Sequence, residues 1–272
     1  MKKKIIINAD DLGFSLGVNE AIKNAHLDGY LSHASLMCNT DFFNHALKEI
    51  IPVCPDLKIG LHVNLTCGKA LYEGNVLAKD GKLNSSFVKL LLMPKKKKVL
   101  DALEHEIESQ LLEAKKNNIF LNHIDGHEHI HIIPSINKIV KKLAKKHSIK
   151  RIREINENII TSSKFNLRTA SLANIIKLLL LRFLSLFNDN KNEIKFYSIL
   201  NTCEINEENL FNYLEKGNDD HIEIMLHPGI IEMDKNYNGL DKRFINFLRS
   251  DFRTQEYNVC FNNKFENYEA MV

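Results

Sequence analysis

The sequence predicts an α/β protein built as a distorted (β/α) barrel, TIM-barrel-like, in a single domain over residues 1–272. Three observations carry that expectation. About seven short apolar runs alternate with segments of helical spacing, as in a parallel sheet with crossover helices. No Gly-rich nucleotide fingerprint follows the first run, which weakens an open doubly wound sheet. The polar groups able to do chemistry fall at or near the C-terminal ends of different runs, and a parallel barrel gathers those ends on one face.

The elements follow in chain order. KIIIN (4–8) is an isoleucine-rich run, as expected of a strand buried on both faces. Residues 17–29 carry apolar side chains at helical spacing and stop at Gly29. Residues 31–39 read as a second strand, 42–53 as a helix stopped by Pro52 and Pro55, and 58–66 as an alternating third strand. Residues 68–98, with Gly68, Gly74, Gly81 and Pro94, read as a long irregular loop of the kind that covers a site. Residues 99–117 are strongly amphipathic and predict a helix. A strand begins at 122 and bends into a turn before Pro134, and a helix follows over 136–147. Then come a short strand at 151–155, a helix at 166–187, a strand at 195–200 and a helix at 206–216. A strand at 221–226 ends in His227-Pro228-Gly229, and a last helix covers 240–252.

With 272 residues and 44% hydrophobic content, the chain can bury one large core. A net charge of +3 points to no nucleic-acid or polyanion partner. The run Lys95 to Lys98 has no interleaved aromatics and reads as a solvated face. Five cysteines without paired spacing favour free thiols in a reducing compartment. The apolar start is three isoleucines before Asn8, Asp10 and Asp11, too short for a secretory h-region, so cytoplasmic localisation is the default. The most apolar stretch, 172–187, is interrupted by Lys177 and Arg182 and falls short of the roughly 20 residues of a spanning helix, so no transmembrane segment is expected. It reads as a core helix, as a helix between subunits of a homo-oligomer, or as a contact for a lipid-linked substrate.

Four motifs carry chemistry. Asp10-Asp11 follows the first strand, where paired carboxylates are either an N-cap with a neighbour or part of a site. His62 lies in a strand whose face it shares, by alternation, with Asn64 and Thr66. In Asp125-Gly126-His127-Glu128-His129-Ile130-His131, three histidines share one face if the segment is extended. Neutral imidazole suits zinc and related cations, and this window is the most specific signal in the chain. His227 stands at the mouth of an apolar strand before a rigid turn, as an acid–base group or a turn cap. Arg153 anchors a carboxylate in the site or lies on the surface. One acid and two histidines from three strands suffice for one divalent cation, zinc or magnesium.

INADDLG (7–13), GLHVNLTCG (60–68), HIDGHEHIHIIP (123–134), IREINE (152–157) and LHPG (226–229) together make the chain resemble the YdjC-like carbohydrate deacetylases. The departure is at 152–157, where the family tends to have a proline after the arginine. The resemblance implies a barrel related to the polysaccharide deacetylases and removal of acetyl from an N-acetylated carbohydrate. It assigns Asp11, His62 and His127 to the metal, Asp10 to the general base and His227 to the general acid. Asn64, His129, His131 and Arg153 become substrate contacts or supports of the ligands. Two other readings stay open: a metal-dependent hydrolase of another amide or a phosphoester, and an inactive sugar-binding protein.

Overall fold

The computed structural model describes residues 2–167, 170–188 and 193–271, and for Phe165 the backbone alone. Its strands are β1 (Lys4–Leu12), β2 (His33–Leu36), β3 (Lys58–Val63), β4 (Ala78–Lys79), β5 (Lys82–Leu83), β6 (His123–Gly126), β7 (Arg151–Ile152), β8 (Lys195–Tyr197), β9 (His221–Leu226) and β10 (Glu269–Ala270). The main sheet runs β7-β6-β3-β2-β1-β9-β8, and β10 adds to the start of β1. Every neighbouring pair in it is parallel. Passing from β1 through β2, β3 and β6 to β7 follows the chain, and β9 returns to the other edge of β1. That cyclic order is the one a (β/α) barrel produces. Here the sheet curls into a half-barrel, with no β7–β8 pairing among the described residues.

The strands obey a period of two that assigns each side chain to a face. Ile5, Ile7 and Ala9 of β1, Ala34 and Leu36 of β2, Ile59, Leu61 and Val63 of β3, and Ile222, Ile224 and Leu226 of β9 join the large core beneath the helices. The intervening residues Asn8, Asp10, His33, Ser35, His62, His123, Asp125 and Glu223 are equally buried but polar. They face the interior of the curl, where Glu223 of β9 takes Arg151 and Arg153 from the far edge of the sheet at 2.5 and 2.7 Å. Gly60 occupies an interior position of β3 because a Cβ there would meet the His123 ring at 2.3 Å.

Several elements differ from their sequence expectations. β1 continues through Asp10 and Asp11 to Leu12, with its register to β2 shifting between Ala9 and Leu12. β3 stops at Val63, so Asn64 and Thr66 belong to the following turn. Residues 68–98 are not an open loop. They hold the β4–β5 hairpin and a helix at Phe87–Leu92. The hairpin turns on Asp80-Gly81, both at positive φ, the dipeptide that two-residue hairpin turns prefer. The 166–187 expectation becomes two helices, Ile159–Asn166 and Leu172–Ser185, and its positions 168–169 lie outside the described residues. The last helix likewise splits into Lys242–Leu248 and Asp251–Val259.

Candidate functional site

Alternation along β1 turns Asn8 and Asp10 inward and would turn Asp11 outward. The backbone overrides it. Asp11 sits at φ 72°, inside the register shift between Ala9 and Leu12. A bulge with one left-handed residue re-aims a side chain in this way. Both carboxylates therefore reach one imidazole: His62 Nε2 is 3.5 Å from Asp11 Oδ1 and 4.0 Å from Asp10 Oδ2.

His127 arrives from the other direction. β6 ends at Gly126, and the following turn, His127–Ile132, has Glu128 and His129 at positive φ. His127 Nδ1 lies 3.0 Å from Asp11 Oδ1, and its ring packs against Phe14 and Phe244. Its Nε2 is buried with no hydrogen-bond partner. The three histidines are thus not an extended row. His131 Nε2 is 3.2 Å from the carbonyl of Arg153, and the His129 ring stands edge-on to Phe196.

One donor atom each from Asp11, His62 and His127 lie within 4.8 Å of one another, all buried. Tetrahedral zinc with bonds of about 2.0–2.1 Å holds its ligands roughly 3.3 Å apart, so the set needs little contraction. Asp10, His62 and Asp125 also cluster within 4.8 Å. That second set is less able to take a cation, because Arg153 already neutralises it. Arg153 donates to both oxygens of Asp10 at 2.8 Å and lies 2.8 Å from Asp125 Oδ2. His62 Nδ1 is 2.7 Å from Asp125 Oδ1, which fixes the ring and presents Nε2 to Asp11. A carboxylate behind a ligating histidine is the usual support of a metal site.

The electrostatics of the first set favour positive charge. Burial opposes charge on His62, yet Asp125, Asp10 and Asp11 together push its pKa up to about 10. Burial likewise opposes charge on Asp11, and His127, His62 and Arg253 outweigh it, holding the carboxyl well below the usual carboxylate range.

Arg153 is no surface residue: it is fully buried and joins Asp10, Asp125 and Glu223. Asn64 serves its own turn, accepting from the Thr66 and Cys67 amides and donating to Asn39 Oδ1 and to the Cys67 carbonyl. His227 follows β9, whose Leu226 pairs with Ala9, so the register continued by one step sets it opposite Asp10. Asp125 stood in the histidine-rich window without a role of its own, and two further groups escaped the sequence reading. Asp125 carried a signal, since it shares a strand face with His123. Arg253 donates to Asp11 Oδ2 at 2.7 Å, and Glu256 Oε2 lies 3.4 Å from His227 Nδ1 and accepts from the His227 amide. Both come from the helix Asp251–Val259, and nothing in its sequence distinguishes them from solvated charges.

Four buried histidines lead us to expect an acid-sensitive fold. Burial is the leading cause that lowers the pKa of His33 to about 3 and of His131 to about 4, and it also lowers His123 and His129. A histidine whose folded pKa is depressed contributes stability that is present above its unfolded pKa, about 6.5, and lost as pH falls below it. His62 and Glu157 work the other way: their pKa values are raised to about 10 and about 7, so they add stability as pH falls through this window and offset part of the loss. We expect the unfolding free energy of the metal-free chain, and with it the urea midpoint, to drop between pH 7 and pH 5, with a limiting slope of roughly 1.4 kcal/mol per pH unit for each such histidine below its unfolded pKa. An unchanged midpoint would show that these rings are solvated.

A sequence model described as YdjC-like protein matches residues 4–270. A Brevibacillus brevis protein named carbohydrate deacetylase is 36% identical over 146 residues, 54% of this chain and 57% of that protein. The chain thus spans little more than half the length of that relative. A Clostridium beijerinckii protein of the same name is 28% identical over 245 residues, 84% of this chain and 82% of its own. In structure, the chain superposes on an Enterococcus faecalis V583 protein provisionally named for cellobiose-phosphate cleavage. The TM-score is 0.70 at 19% identity, covering 100% of this chain and 97% of that one, and it establishes the shared fold. Fold and sequence match together show that the chain belongs to the YdjC-like protein family.

Proposed function

We propose that this chain is a divalent-metal-dependent hydrolase that removes the acetyl group from an N-acetylated sugar, giving acetate and a free amino sugar. The observation that carries the reading is the buried meeting of Asp11, His62 and His127 beside a separate carboxylate, Asp10, that an arginine holds in place. The relatives named carbohydrate deacetylase support a sugar as the acetyl carrier.

Asp11, His62 and His127 would hold the cation, zinc or magnesium. Bound there, such a cation lowers the pKa of a coordinated water and polarises a carbonyl oxygen. Asp10 takes the proton from the attacking water. Two hydrogen bonds from Arg153 and one from Asn8 Nδ2 at 2.8 Å fix the plane of its carboxylate. His227 gives a proton to the departing amine nitrogen, without which the amine is a poor leaving group. Glu256 beside His227 Nδ1 steadies the ring and the charge it carries when protonated. Arg153 acts by holding Asp10, and Asn64, His129 and His131 support the turns that frame the site.

The test is acetate release. Chelator-treated protein, supplied in turn with magnesium, zinc, manganese and cobalt, is assayed on N-acetylated mono- and oligosaccharides. At least one pairing should restore turnover; no release from any would overturn the reading. A second prediction concerns the support behind His62. Asp125→Asn should weaken cation affinity by about 10–100-fold, measured by calorimetry. Unaltered affinity would remove His62 from the ligand set.

A further inference from the structure

The groups of the candidate site gather at the C-terminal ends of the strands. The half-barrel is also open at the other end. A cavity of about 730 Å³ lies there, at the starts of β1, β2, β7 and β9. Ile6 and His33, both buried, form its floor, because alternation turns them to the interior of the curl. Its wall carries Lys4, Lys150 and Arg151 against a single acid, Glu269. The volume falls within the roughly 300–1,000 Å³ of small-molecule sites.

The protein leaves much of that positive charge unanswered. Lys4 Nζ is 3.6 Å from Glu269 Oε1, and this pair is well exposed to water. Arg151 gives Nη1 to Glu223 Oε2, while its Nη2 is buried with no hydrogen-bond partner. A buried donor without an acceptor costs free energy that a ligand's acceptor would recover. Lys150 is exposed and has no ion-pair partner among the described residues. The field at the floor is positive as well. Burial lowers the pKa of His33, and Arg151, Lys58 and Arg153 add to that against Glu223.

Phe120 indicates what accompanies the negative charge. It stands at the rim, 86% exposed, between the helix Lys97–Lys116 and β6. An aromatic face held at the edge of a basic cavity suits the ring of a base or a sugar. A phosphate carries about two negative charges, which an ammonium and a guanidinium side by side neutralise. A lone carboxylate would leave one of those cations unmatched.

We propose that this cavity binds a phosphorylated small molecule, with its phosphate between Lys150 and Arg151 and its ring against Phe120. A nucleotide and a sugar phosphate share that chemistry. The cavity lies at the opposite end of the strands from Asp11, His62 and His127, so it stands whether or not the deacetylase reading does.

Calorimetry on the full, chelator-treated chain at about 0.15 M salt tests this, with AMP, glucose 6-phosphate and inorganic phosphate as titrants. At least one of the two organic phosphates should bind at one per chain and more tightly than inorganic phosphate. Tighter AMP identifies a nucleotide site, and tighter glucose 6-phosphate a sugar-phosphate site. Lys150→Glu should weaken that ligand by about tenfold or more, the effect of losing a hydrogen bond to a charged group. Phe120→Ala should weaken it by about fivefold or more and leave inorganic phosphate unchanged. Both side chains are exposed, so both variants should keep the far-UV circular dichroism of the wild type. Arg151 stays in place, because the Glu223 it holds also holds Arg153. Three results would each overturn the proposal: no binding of either organic phosphate, affinity untouched by Lys150→Glu, or affinity untouched by Phe120→Ala.

Discussion

Asp10→Asn should lower the rate of acetate release by about 10²–10⁴-fold, the usual contribution of a positioned general base. The amide has nearly the shape of the carboxylate but cannot take the proton of the attacking water. It also sets an NH₂ against one of the two guanidinium donors that Asp10 now accepts, so some stability is lost as well. Cation affinity should change by only a few-fold, because Asp10 is no member of the Asp11, His62 and His127 set. Steady-state rates and a metal-binding isotherm on the same preparation separate the two effects. A variant turning over within threefold of the wild type would remove Asp10 from its role. Loss of the cation together with the activity would make Asp10 a ligand.

The second large effect is on stability. Arg153 is completely buried and is the shared counter-ion of Asp10, Asp125 and Glu223, from three different strands. Its own pKa stays well above the ordinary arginine value, since those carboxylates outweigh the burial that would lower it. Arg153→Met fits the space and takes from Asp10 its one arginine, while Asp125 keeps His62 and Glu223 keeps Arg151. Removing one partner of a buried pair costs about 3–5 kcal/mol, and here three pairs share the lost partner. Arg153→Lys should recover part of the loss only, because an ammonium cannot donate two parallel bonds to Asp10 while reaching Glu223. Urea denaturation at neutral pH measures both. A loss below about 1 kcal/mol for Arg153→Met would mean that water solvates the interior of the curl.

The helix Leu172–Ser185, with Leu178, Leu181 and Leu184 buried and Ile176, Leu179 and Phe183 exposed, shows how partial a periodicity argument is. Helical spacing over 166–187 was plain in the sequence, yet both faces of that stretch are apolar. Periodicity alone could therefore not say which one the core would take.

The sequence by itself determined the parallel α/β architecture and where its chemistry gathers. Period-two patterns such as KIGLHV and HIEIML split apolar from polar residues, and strand ends converge wherever parallel strands lie side by side. The strand-end positions of Asp10, Asp11, His62 and His127 were legible too, and the structure brings Asp11, His62 and His127 within 4.8 Å of one another. Tertiary structure alone decided how they meet. The left-handed backbone at Asp11 reverses the face that alternation assigns it, and positive φ at Glu128 and His129 parts His127 from the two histidines after it. Arg153, Arg253 and Glu256 become buried partners because the half-barrel closes over them. A charge in a sequence window does not reveal which carboxylate or imidazole, tens or hundreds of residues away, will neutralise it. That pairing exists only once burial has made an unpaired charge too costly to keep.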